Sequence, residues 1–268
     1  VILSEIAVNG GIYALAGAFA GLMSGLMGIG GGIVVVPALL FIFQHNPAFP
    51  SNLTMHFAAG TSLAVMLFTS QSSIRAHYRQ SGIQWGVYNR LWPGIIIGAI
   101  TGGVLADQLP TRWLEILFGL FLLFVAFKML SGMQITRPQQ FPRPWINNLI
   151  SFLIGCKSGL LGVGGGTVII PYLSYCGMEM PKIAPVSALC TMTVAIIGTI
   201  TFIMTGLNEV GLPAYTTGYI YWPAVLCIAI PSSIFAPVGA KLTYVLPIKH
   251  LKYGFVVILV FTAINLLI

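Results

Sequence analysis

The sequence predicts an all-α integral membrane protein made of two inverted-topology repeats. Each repeat is a glycine-broken helical hairpin followed by three transmembrane helices. Three observations lead there: a composition too poor in charge to cover a water-facing surface, a glycine motif that occurs twice, and the placement of the basic residues. Of 268 residues, 57% are hydrophobic and 6% charged, against about a quarter charged in a soluble domain. Apolar stretches recur along the whole chain, and about 20 apolar residues span a bilayer as a helix. No segments of about ten residues alternate apolar and polar, which argues against a membrane β-barrel.

The stretches SGLMGIGGGIVVVP (Ser24–Pro37) and SGLLGVGGGTVIIP (Ser158–Pro171) share one pattern. Gly25, Gly28, Gly30, Gly31, Gly32 and Pro37 align with Gly159, Gly162, Gly164, Gly165, Gly166 and Pro171. Further matches follow in the same order: Ala58–Ala64 with Ala184–Cys190, Trp92–Pro93 with Trp222–Pro223, and Leu105–Leu114 with Leu242–Leu251. The chain therefore divides into repeat 1 (1–131), a polar, proline-rich cytoplasmic linker (132–144) and repeat 2 (145–268). In repeat 1 the glycines part an apolar pair at about 2–24 and 30–43, and apolar helices follow at about 54–73, 86–106 and 113–131. In repeat 2 the pair covers about 146–161 and 167–176, and the helices about 183–205, 219–240 and 250–267.

Charge decides the relative orientation. If each repeat crossed the membrane an even number of times, the copies would be parallel. The lysine-free, arginine-free loop after Phe202 would then share a side with the Arg75–Arg90 loop, against the positive-inside tendency. If each glycine-broken pair returns to its starting side, the copies are inverted. Arg75, Arg79, Arg90, Lys128, Arg137, Arg143, Lys182, Lys241, Lys249 and Lys252 then share one face. Arg112 lies opposite, and Lys157 lies within the membrane. Both termini are expected outside the cytoplasm. The N-terminal run lacks a basic leader region, so it does not read as a cleaved signal peptide.

The excess of 12 Lys plus Arg over 5 acids is scattered beside apolar runs, which fits topology control and gives no nucleic-acid patch. The expected partners are the bilayer and a small anion. Cys156, Cys176, Cys190 and Cys227 show neither metal-ligand spacing nor CxxC, so no metal and no cofactor is expected. Glycines permit the positive-φ turns that reverse a chain. Irregular backbone at membrane depth survives when buried in protein or lining a wet cavity. A helix starting after Gly32, and another after Gly166, would present free N–H groups and a partial positive end to an oxyanion. Paired interruptions in two halves are a recurring transporter design. The plainer reading of glycine, close helix packing, accounts well for Gly94, Gly98 and Gly102. Neither glycine cluster fits a dinucleotide fingerprint or a P-loop.

The expected anion site comprises Gly28, Gly30, Gly31, Gly32, Gly162, Gly164, Gly165 and Gly166, with Ser24 and Ser158 at the motif starts. Lys157 supplies the counter-charge: a cation near the bilayer centre costs about 2.5–3.5 kcal/mol on insertion scales and needs water, a partner or an anion. Snorkelling to the headgroups is its alternative. Thr61, Ser62, Ser187, Thr191 and Gln71 are candidate polar lining, although such hydroxyls often bond their own backbone. His56 and His77 are candidate proton carriers, since an unperturbed imidazole changes charge near neutrality, although solvated loop histidines are the commoner case. Glu115 is explained by its place near a helix start.

The glycine motifs, the AAGTSL stretch and the pattern from Leu105 to Gly119 resemble the TauE/SafE sulfite exporter family, also called the toluene-sulfonate uptake permease family. The resemblance covers nearly the whole chain. It implies a transporter of a small sulfur oxyanion in the bacterial cytoplasmic membrane. In the second copy Val186 replaces the glycine equivalent to Gly60, a departure from matched halves. The expected function is secondary transport of an anion by alternating access. The alternatives are an anion channel and a membrane enzyme or relay handling sulfur through Cys156 or Cys190.

Overall fold

The computed structural model describes residues 2–27, 31–131, 141–242 and 248–268. Gly28 and Gly30, with linker residues 132–140, lie outside them. Helices α1 (Ile2–Met27), α2 (Gly32–Gln44), α3 (Thr54–Ser81), α4 (Trp85–Gln108) and α5 (Thr111–Ser131) come first. Helices α6 (Pro144–Leu161), α7 (Gly166–Tyr175) and α8 (Met180–Gly206) follow. A hairpin of β1 (Thr216–Thr217) and β2 (Ile220–Tyr221) precedes α9 (Trp222–Leu242) and α10 (Ile248–Leu267).

Local chemistry sets these limits. Gly82, at φ +67°, terminates α3, and positive φ favours glycine. Pro110 and Pro144 sit at helix starts, where a missing N–H costs nothing. Pro37, Pro93, Pro171 and Pro185 lie inside helices. Membrane helices tolerate them where neighbours satisfy the freed carbonyls. Two expectations are corrected. The apolar run expected to stop at 73 continues as helix to Ser81, because its polar tail contains no breaker before Gly82. Residues 219–221, expected to open a helix, belong to the β-hairpin. Gly218 takes φ +56° there and its backbone lies against Phe202 and Ile203.

Among the described residues, four helices are long and apolar enough to cross a bilayer: Trp85–Gln108, Thr111–Ser131, Pro181–Gly206 and Trp222–Gly239. Large apolar side chains such as Ile97, Phe127, Ile230 and Phe261 are exposed on the outer surface, as lipid-facing residues are. The helices associate by close backbone approach. A Cβ on Gly94, Gly98 or Gly102 of α4 would strike the backbone of α6 at Asn148, Phe152 or Cys156. In return, Gly155 and Gly159 of α6 meet Ile95 and Ala99. Gly17 and Gly21 of α1 meet Ile228 and Ser232 of α9 in the same manner. Small residues are what such membrane interfaces need. Helix α3 packs on α8 at the centre, and α5 packs on α10. Arg112 has a task in this last pair. Its guanidinium donates to the carbonyls of Leu266, Leu267 and Ile268 at 3.0–3.1 Å, satisfying acceptors at the end of α10 that a helix leaves free.

Candidate functional site

The second glycine break is a tight reversal buried among helices. Gly162 is left-handed at φ +67°, ψ +26° and its N–H donates to the Ser158 carbonyl. Helix α7 then runs back along α6. Lys157 Nζ donates to Thr167 Oγ1 at 3.0 Å. Farther from the turn, Tyr172 Oη donates to Asn147 Oδ1 at 2.7 Å. Residues 161–167 are all buried. Ser62 of α3 donates to the Gly162 carbonyl at 2.9 Å. A Cβ on Gly164 would lie 2.9 Å from Thr191 Cγ2 of α8 and 3.2 Å from Met66 Sδ of α3. The turn therefore sits against the central α3–α8 pair.

The first break meets it there. A Cβ on Gly32, the first residue of α2, would lie 3.0 Å from both the Gly162 carbonyl oxygen and Val163 Cα, and 3.2 Å from Gly164 N. Two helix starts thus converge. At α7 the amides of Val168 and Ile169 donate to the Gly165 carbonyl, while those of Gly166 and Thr167 find no acceptor among the described residues. Lys157 adds a cation: its Nζ lies 4.3 Å from the centroid of the Phe121 ring, and no carboxylate pairs with it among the described residues. The hydroxyls of Ser158 and Ser187 are buried with no hydrogen-bond partner among the described residues, an arrangement costing about 1–3 kcal/mol each unless water or a ligand bonds them. Thr199, Thr205 and Ser232 share that condition, so an unpaired hydroxyl does not by itself mark this place.

Across residues 13–266 the chain matches the family model described as "Sulfite exporter TauE/SafE". The chain belongs to the TauE/SafE sulfite exporter family. A probable membrane transporter protein of Haemophilus influenzae is 34% identical over 256 residues, covering 94% of this chain and 96% of that protein. One from Methanocaldococcus jannaschii is 30% identical over 242 residues, covering 89% and 88%. The protein YunE of Bacillus subtilis, also called a probable membrane transporter, is 26% identical over 192 residues, covering 65% and 70%. No solved structure matches the chain. As a member of the TauE/SafE family, the chain is a multi-pass membrane transporter.

The TauE/SafE chain brings Gly31, Gly32, Gly162, Gly164, Gly165, Gly166, Lys157, Ser158, Ser62 and Thr191 into or beside the two breaks. Ser187 lies one helical turn before Thr191 on α8. Ser24 is partly exposed near the end of α1. Thr61 accepts the amide of Tyr221 at 3.1 Å, and Gln71 is exposed farther along α3. All four cysteines are free. Of the described glycines in the second break, Gly162 alone has positive φ. Gly164 instead leaves room for α3 and α8.

Sequence reasoning missed a second feature of this TauE/SafE protein. A cavity of about 830 Å³ opens at the end of the molecule where α2, α4 and α8 stop and α3 and α5 start. It contains none of the expected anion ligands. Instead it gathers His56, Asp107, Arg112, Glu115, Glu209 and Tyr219. His56 is not a solvated loop residue. It is 2% exposed, with Nε2 at 2.9 Å from the Ala106 carbonyl. Glu115 does more than complement a helix start, because its Oε1 accepts from Gln44 Nε2 at 2.9 Å. Tyr219 Oη donates to Asp107 Oδ1 at 2.8 Å, and Glu209 Oε1 lies 3.4 Å away. Burial and these two carboxylates push the Tyr219 phenol above its ordinary pKa. These residues are isolated in the chain, so no spacing motif announced them.

Proposed function

We propose that this TauE/SafE protein is a secondary transporter of a small sulfur oxyanion, such as sulfite or a sulfonate, in the bacterial cytoplasmic membrane. The anion binds where the two glycine breaks meet and moves by alternating access of two inverted repeats. The contact of Gly32 with residues 162–164 carries this reading, since it gathers two helix starts, whose amides favour anions. Lys157 supplies the charge, and Ser158 and Ser187 supply unused hydroxyls. The packing supports the repeat relation: α1 pairs with α9 and α6 with α4, so the first helix of each repeat seats against the fourth of the other. The sulfur chemistry comes from the family description. Phe43, Phe49 and Phe57 form a buried aromatic cluster at the wall of the cavity, and a carrier, not an open pore, is the reading adopted.

The test is uptake into proteoliposomes of sulfite, thiosulfate, a sulfonate and sulfate, with and without a pH gradient. Saturable uptake of at least one sulfur oxyanion is expected. Flux that rises linearly with concentration would favour a channel, and no flux for any of them would refute the substrate class. The inverted arrangement is checked by single-cysteine labelling: Arg75→Cys and Lys252→Cys should react from the same membrane face, and labelling from opposite faces would overturn it.

A further inference from the structure

The cavity, the aromatic layer and the glycine turn are stacked along α3. His56 and Phe57 are followed by Ala59, whose backbone a Cβ on Gly162 would strike, and by Ser62, which bonds the turn. From His56 to Ser62 is about 9 Å of helix at 1.5 Å per residue. At the wall of the cavity lies a buried aromatic cluster. Phe49 stacks on Phe43 with centroids 4.2 Å apart and meets Phe57 edge-on at 5.3 Å. The β-hairpin completes it. Tyr219 packs edge-on against Phe57 at 5.9 Å, and Tyr221 against Phe49 at 5.2 Å.

We propose that the 216–221 hairpin is the gate between the cavity and the glycine breaks, latched shut by the Tyr219 hydroxyl on Asp107. The inference rests on the transport reading above and adds to it a gating element. The hairpin carries two aromatic rings of that cluster, Tyr219 and Tyr221. It is pinned at two points: the Tyr221 amide on Thr61 Oγ1, and the Tyr219 hydroxyl on Asp107 Oδ1. The second ends on a carboxylate. Tyr219 has one hydroxyl proton, and two carboxylates, Asp107 and Glu209, converge on it. A bond to a carboxylate is charge-assisted, roughly twice as strong as a neutral one. Loss of that bond frees the ring to swing from the aromatic cluster. The other charged or titratable groups facing the latch are His56 of α3 and Arg112 and Glu115 of α5. His56 lies 5.2 Å from the Tyr219 ring, centroid to centroid, and Arg112 lies 3.8 Å from Glu115.

Access to the turn reads this directly, with no need for transport. In a protein whose four native cysteines are replaced, Ser62→Cys places a thiol at the turn, and Ser187→Cys is the second reporter. Reaction with a membrane-impermeant maleimide from the cavity side is measured relative to unfolded protein at the same pH. With Tyr219 present, relative labelling should be slow. Tyr219→Phe, and independently Asp107→Asn, should raise it about tenfold or more, as expected for loss of a hydrogen bond to a charged group. If neither substitution speeds labelling, the latch is refuted. A gate that responds as described in a protein that transports no sulfur oxyanion would refute the substrate reading and leave the gate standing. Transport with unchanged labelling would do the reverse.

Discussion

Gly162→Ala is expected to leave little folded protein in the membrane. Two costs fall on one methyl group. Gly162 holds φ +67°, a conformation costing a residue with a Cβ about 1–2 kcal/mol. The methyl would also strike Ala59 Cα, with the Ala59 carbonyl oxygen at 2.6 Å and its Cβ at 2.7 Å. Those atoms belong to the backbone and first side-chain carbon of a buried helix, so they cannot swing aside as a long side chain can. Overpacking of that kind costs about 1–3 kcal/mol. Together the two take away about 2–5 kcal/mol, a large share of a typical stability of about 5–15 kcal/mol. Gly31→Ala is the matched control, because the nearest atom to its added Cβ is 3.8 Å away. Yield in membranes and the thermal midpoint in detergent measure both. Parent-like values for Gly162→Ala would mean that the reversal at 162–165 is not as tightly held as its contacts require.

That contrast marks what the sequence made legible. The doubled motif located both helix breaks to within a few residues, since glycine clusters are visible one residue at a time. It did not say which glycine turns the chain and which admits a neighbour. Gly162 does the first; Gly32 and Gly164 do the second, and the distinction depends on partners far along the chain. The apolar runs predicted α4, α5, α8 and α10 closely, because bilayer length is written in composition. The overrun of α3 to Ser81 was hidden, because polar residues without glycine or proline are as compatible with helix as with loop. Long-range polar pairs were invisible. Asp107 stands 112 residues before Tyr219 and meets it, with Glu209, only through the closing of α4 on the β-hairpin. His56 looked like a solvated histidine because its acceptor, the Ala106 carbonyl, is a backbone atom that no motif encodes. Arg112 stood out as an exception to the charge bias, and its bonds to the end of α10 supply a structural reason for an arginine there.

On the proposed reading, Lys157→Met should lower anion affinity about 10- to 100-fold or more while leaving the protein folded. A hydrogen bond to a charged group contributes roughly 1.5–3 kcal/mol, and 1.4 kcal/mol is about tenfold in affinity. Lys157 is a suitable counter-charge because its described contacts do not neutralise it. Thr167 Oγ1 accepts one of its protons, and the Phe121 ring offers a cation–π face, but neither carries a full negative charge. Methionine keeps an unbranched apolar stem of similar length, so packing against Phe121 survives. It also removes the cost of placing a cation within the membrane, so stability should hold or rise. Those opposite signs separate the two roles open to this residue. A structural lysine would lose stability on losing its bond to Thr167 while anion affinity stayed unchanged. A counter-charge would lose affinity without losing stability. Lys157→Arg keeps the charge but replaces a compact ammonium by a planar fork, so it should retain part of the affinity. Anion binding by calorimetry in detergent, paired with the thermal midpoint of the same samples, reads both quantities. Unchanged affinity in Lys157→Met would exclude the counter-charge and leave the backbone amides to hold the anion alone.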